Sequence, residues 1–241
     1  MTDTPDAAAD GRPTVTRSIL INVVLDSSGS MESIRDATIE GFNEFKRDQC
    51  KEDGNALFTL TLFNTRMRTV CESVPVREVP DLDFDLYEPH GSTALYDAIG
   101  LTMAATDEFV AAYQPDQVLF VILTDGLENA SRQFDRERVF SLIEDRRRYA
   151  GYEFVYLGAN QDSYAIGTQI GVAEGHMLDF VADSFGAAST MQRLSRNVSG
   201  FRRRGLASEV AWFDGEVERV GSIDPDAWRA QDLWYDSGTG T

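Results

Sequence analysis

Residues 18–30 read SILINVVLDSSGS. Between Ile19 and Leu25 only Asn22 is polar, and the run is dominated by Ile and Val. A half-exposed strand would alternate, so a near-continuous aliphatic run describes a strand buried on both faces. It stops at Asp26 and gives way to small polar residues. Residues 31–50 then place Met31, Ile34, Ile39, Phe42 and Phe45 at helical spacing. A fully apolar strand, a polar loop and an amphipathic helix make the repeating unit of an α/β fold.

The same unit recurs. Residues 117–126 (QVLFVILTDG) and 153–159 (EFVYLGA) are two more apolar strands, each followed by helical segments, with HMLDFV at 176–181 as a last strand. Residues 56–65 and 66–76 alternate in character and are joined tightly around Asn64, Thr65 and Arg66, which reads as a hairpin. Residues 92–113 form an Ala-rich helix with a Ser or Thr cap, residues 134–149 a charged surface helix, and residues 184–204 a final one. The expected fold is a doubly wound, Rossmann-like α/β domain over residues 18–204. It has a mainly parallel sheet, helices on both faces and one antiparallel edge strand.

Around that domain lie a polar lead, residues 1–17, and an acidic tail, residues 205–241, which holds Trp212, Trp228 and Trp234. The 241 residues carry 42% hydrophobic and 10% aromatic residues, which excludes a wholly disordered chain. A formal charge of −18 argues against nucleic acid and anionic membrane as partners, since both need a basic face. It suits divalent cations or a basic protein. With no signal-like segment and no membrane-spanning run, Cys50 and Cys71 read as free thiols, the sequons at Asn129 and Asn197 weigh little, and a cytoplasmic setting is expected.

Chemistry gathers where apolar strands end. In an open α/β sheet, ligands bind outside the carboxyl ends of the strands, where strand order reverses. The first strand delivers Asp26, Ser28 and Ser30 there, and the second delivers Asp125. Alternate residues of a tight loop point the same way, so Ser28 and Ser30 can serve one ion, with Gly29 easing the turn. Thr93 adds a hydroxyl from the loop before the Ala-rich helix. An all-oxygen set suits a hard cation: Mg²⁺, or Mn²⁺ or Ca²⁺.

DSSGS after an apolar strand, GSTALYDAI opening a helix and LTDG after the next apolar strand together resemble the von Willebrand factor A domain, over roughly residues 17–204. The LYDAI opening and LGANQD turn are most similar to its intracellular, bacterial-type members. The resemblance implies a metal-ion-dependent adhesion site at Asp26, Ser28, Ser30, Thr93 and Asp125. Ser28 and Ser30 would bind the ion directly, Thr93 directly or through water, and the two aspartates mostly through water. A protein partner would complete the shell with a carboxylate, the ion serving binding rather than catalysis. Such members often work beside ATPases or in multi-protein assemblies. Gly91-Ser92-Thr93 departs from the commoner Gly-Gly-Thr.

Bland readings stand beside these: DSSGS also reads as a serine-rich turn in which Ser30 caps the following helix. His90 reads as a rim residue and His176 as structural. Asp81, Asp83, Asp85 and Glu88 form a solvated edge with Leu82, Phe84 and Leu86 alternating inward, or a negative rim that selects a basic partner. The arginines at 146–148 and 202–204 sit near helix ends, where cations complement the dipole. The tail either folds back on the domain or serves as a peptide for another protein. Two other functions stay open: an Mg²⁺-dependent phosphoryl-transfer enzyme using Asp26, and a scaffold whose tail makes the contacts.

Overall fold

The computed structural model describes residues 17–160, 162–204 and 212–213. The lead up to residue 16 and most of the tail, including Trp228 and Trp234, lie outside the described residues. Six strands form one sheet: β1 (Ser18–Asp26), β2 (Asn55–Phe63), β3 (Met67–Pro75), β4 (Gln117–Thr124), β5 (Tyr152–Ala159) and β6 (Met177–Phe180). Their order is β3-β2-β1-β4-β5-β6, and only the β2–β3 pairing is antiparallel. Strand order therefore reverses between β1 and β4, where Leu25 lies opposite Leu123. The doubly wound sheet with one antiparallel edge strand is as expected.

Helices cover both faces, which is why β1, β4 and β5 carry apolar residues without alternation. On one face α1 (Arg35–Lys51) and α5 (Ser184–Arg204) bury Phe42, Phe45, Met191 and Leu194 against Ile21, Val23 and Leu25. On the other, α2 (Leu95–Tyr113) and α3 (Arg136–Asp145) bury Ile99, Met103, Val139 and Ile143 against Val24, Phe120 and Ile122. The short α4 (Ser163–Gln169) lies on this second face, with Ile166 packed there. Among the described residues, no helix is long and apolar enough to cross a membrane.

Three local expectations need correction. The charged helix at 134–149 is regular only from Arg136 to Asp145; a wider π turn then runs over Arg146–Ala150. Neither Ser92 nor Thr93 caps α2, whose N-cap position, Ala94, has no side-chain bond to give. Phe84 does not turn inward: it is exposed, with the Arg35 guanidinium 4.7 Å from its ring centre, while Leu82 is buried.

One arginine of each run is built into the packing. Arg146 grips Asp107 through Nε and Nη2, the latter at 2.6 Å. Arg202 is buried and donates to the Gln49, Glu52 and Asp53 carbonyls where α1 ends. It satisfies acceptors that a helix end leaves open. Beyond α5, Trp212 and Phe213 fold back on the domain. Trp212 stacks at a tilt on Phe201, its ring 5.2 Å away, and meets His176 edge-on at 6.2 Å. The Phe213 amide donates to the Gly175 carbonyl at 2.8 Å.

Candidate metal centre

The loops after β1 and β4 and the loop before α2 meet at the carboxyl edge of the sheet. Asp26 is fully buried at the end of β1. Its Oδ1 accepts the Ser28 amide at 2.6 Å and its Oδ2 accepts the Thr124 hydroxyl at 2.5 Å. Ser28 and Ser30 turn their hydroxyls to one another at 3.2 Å, and Ser30 donates to Asp125 Oδ1 at 2.6 Å. Ser30 is therefore not a helix cap. Ser30 itself lies in a 3-10 turn over Gly29–Ile34 before α1 begins, with its hydroxyl on Asp125 just beyond β4.

Thr93 is buried across Gly126 from this group. A Cβ on Gly126 would come within 2.7 Å of Thr93 Oγ1 and 3.6 Å of Asp26 Oδ2, so the close approach needs glycine. Backbone bonds tie the loops together: Gly29 N–H to Gly91 O at 3.1 Å and His90 N–H to Ser27 O at 2.8 Å. Gly91 adopts φ 76°, a left-handed turn that a Cβ would also block at Thr65 Oγ1, 2.8 Å away. The structure thus brings all five anticipated residues to one edge.

The electrostatics are those of an uncompensated acid pair. Burial pushes the Asp26 carboxyl up to about 6, against the lowering effect of its bonds from Thr124 and Ser28. Burial raises Asp125 as well, opposed by the Ser30 hydroxyl. Among the described residues, the donors that reach these carboxylates are hydroxyls and an amide, not a cation. Two desolvated carboxylates and three hydroxyls, with no nitrogen or sulfur, fit a hard divalent ion. Among the described residues no cluster of three or more His, Cys, Asp and Glu side chains is placed to hold a metal, so a site here rests on hydroxyl oxygens.

His90 stands aside from the site, bonded to the Glu88 carbonyl at 2.7 Å and beside Asn64. Sequence reasoning passed over three other residues. Thr124 orients Asp26; its only signal is a hydroxyl closing an otherwise apolar strand. The buried Tyr87 donates to the Asp26 carbonyl at 2.7 Å and fixes the strand end. Glu128 reaches the first turn of α2 at the Tyr96 amide, 2.9 Å, supplying from another loop the cap that Ala94 lacks.

No protein-family model matches the chain, and no curated protein does either. Solved structures do. Proximal thread matrix protein 1 of the mussel byssus, with a zinc-occupied metal-ion-dependent adhesion site motif, is 13% identical at a TM-score of 0.55, over 76% of this chain and 48% of that one. The von Willebrand factor type A protein of Catenulispora acidiphila is 14% identical at 0.53, over 77% and 43%. The manganese-loaded TRAP protein of Plasmodium vivax is 14% identical at 0.50, over 72% of each. This chain spans less than half the length of the first two. At these identities the likeness is one of fold.

Proposed function

We propose that this chain, which has the fold of von Willebrand factor A domains, is a metal-dependent protein-binding module rather than an enzyme. Ser28, Ser30 and Thr93 would hold a divalent cation, with Asp26 and Asp125 behind them. The observation that carries this reading is the run of oxygens from Ser28 through Ser30 to Asp125, at 3.2 and 2.6 Å, on the strands where sheet order reverses. The zinc and manganese held by the mussel and Plasmodium proteins favour a divalent ion; Mg²⁺ is our choice for this one.

When bound, the ion supplies a Lewis-acidic position that an incoming carboxylate can complete. The chain's own residues do the rest. Thr124 and the Ser28 amide hold Asp26 in one rotamer. Leu127, Tyr164 and Phe185 are exposed just beyond the ends of β4, β5 and β6, and Phe84 is exposed beside the start of α1. Large apolar side chains exposed on one edge suit a protein footprint rather than a small ligand. The partner is then a protein surface presenting one carboxylate among apolar groups, alone or within a larger, ATPase-associated assembly.

The phosphoryl-transfer reading finds less support, because both oxygens of Asp26 are already accepting bonds and the residue is fully buried. The test of the metal reading is thermal unfolding in Mg²⁺, Mn²⁺ or EDTA. At a hundred times its dissociation constant an ion that binds only the folded state stabilises it by about 2.7 kcal/mol. The rise should vanish in Ser28→Ala. No rise for the wild type at millimolar metal would overturn the reading.

A further inference from the structure

We infer that Glu128, together with Asp97 and Asn129, is a positioning residue for the metal site: a reciprocal staple that presets Thr93 against Asp125. The inference rests on the metal reading above and concerns residues that donate nothing to the ion. Thr93 and Asp125 belong to loops 32 residues apart in sequence, at the start of α2 and the end of β4.

What joins them is a set of carboxylate-to-amide bonds running both ways. Glu128, three residues after Asp125, accepts the Tyr96 amide in the first turn of α2 at 2.9 Å. The same carboxylate accepts the Ala130 and Ser131 amides at 2.9 and 2.7 Å and the Ser131 hydroxyl at 2.7 Å. Asp97, on α2, reaches the other way and accepts the Arg132, Gln133 and Phe134 amides at 2.8–2.9 Å. Between these two anchors, Thr93 is held at both ends of its own peptide unit. Its N–H donates to Asn129 Oδ1 at 2.9 Å, and its carbonyl accepts the Asn129 and Ala130 amides at 3.0 and 3.2 Å.

The helix amides at the start of α2 would otherwise be open, since the Ala94 cap position offers no side chain. Each ionised carboxylate that accepts several amides is in its strongest hydrogen-bonding role. The loop after β4 and the loop before α2 therefore move as one body. The Thr93 hydroxyl is thereby held close to the Gly126 backbone. Groups that hold ligands in place typically govern metal affinity by ten- to a hundredfold.

The experiment is calorimetric titration of the full chain with MnCl₂, alongside amide hydrogen exchange of the metal-free protein. Glu128→Ala should stay folded, bind Mn²⁺ at least tenfold more weakly, and exchange faster at Tyr96, Ala130 and Ser131. Glu128→Gln, which keeps one acceptor oxygen, should recover part of the loss. Should Glu128→Ala fail to fold, Asn129→Ala removes a single acceptor from Thr93 and should weaken binding severalfold. A folded Glu128→Ala, or Asn129→Ala in its place, that binds Mn²⁺ within twofold of wild type overturns the staple and leaves the metal site standing. A wild type that does not bind Mn²⁺ overturns the metal reading and the inference with it.

Discussion

Replacing Trp212 with Ala tests whether the chain beyond α5 is part of the folded unit. Trp212 is only 8% exposed and packs on Phe201 and His176. An indole buried to this extent removes about 200 Å² from water, or roughly 5 kcal/mol at about 25 cal/mol per Å². Holding Trp212 and Phe213 in place opposes that by about 1–2 kcal/mol of backbone entropy per residue. The net loss in Trp212→Ala is therefore about 1–3 kcal/mol, a fall in midpoint of roughly 2–12 °C for a domain of this size. Urea unfolding followed by far-ultraviolet circular dichroism measures it, with Phe185→Ala, an aromatic 84% exposed, as the comparison. Phe185→Ala should stay within about 0.5 kcal/mol of wild type, as surface changes do. If Trp212→Ala matches that control, Trp212 does not belong to the core and the packing argument fails.

Acid should destabilise the same corner. Burial holds His176 down at about 4, with its ring beside Trp212, its Nδ1 on the Phe154 carbonyl at 3.1 Å and Glu153 at 3.6 Å. Because the folded state refuses the proton, its stability contribution is complete above the ordinary histidine value near 6.5. It is then lost as pH falls toward 4, by up to about 3 kcal/mol. His176→Gln should flatten the fall in stability between pH 6.5 and 4, and an unchanged slope would refute it. Gly126→Ala should displace Thr93, given the 2.7 Å approach of its Cβ to Thr93 Oγ1, and abolish the Mn²⁺-dependent rise in melting temperature while the protein stays folded. Arg202→Met leaves the carbonyls at the end of α1 without a donor and should cost about 2–4 kcal/mol in urea unfolding. A cost under 1 kcal/mol would mean that water replaces the guanidinium freely.

What was legible in the sequence follows from the range of the interactions involved. β1, β4 and β5 announce themselves because strands covered on both faces carry apolar residues at consecutive positions, and α5 was read at its full span because its apolar stripe is regular. The five candidate residues could be singled out for the same reason: each stands within four residues of the end of a strongly patterned strand or the start of such a helix. Thr124, Glu128, Asp97 and Tyr87 were not, since their partners lie 32 to 98 residues away and nothing local distinguishes them from turn or surface residues. Ser30 was misjudged as a helix cap for a related reason. A serine before a helix is ambiguous until β4 arrives beside it with Asp125. Phe84 looked like one member of an alternating set, yet Arg35 covers its ring and holds it at the surface.

The placement of β1 directly beside β4 also sets when the site can exist. Asp26 is synthesised about a hundred residues before its neighbours Thr124 and Asp125. Loop closure of that length has to be met by burial already secured elsewhere, and contacts of such high sequence separation form late. A nascent or half-folded chain therefore has no cradle to offer an ion. On the metal reading proposed above, an ion would reinforce the finished domain and would not seed it. A partner that recognises the loaded site would thereby select molecules whose central sheet is complete.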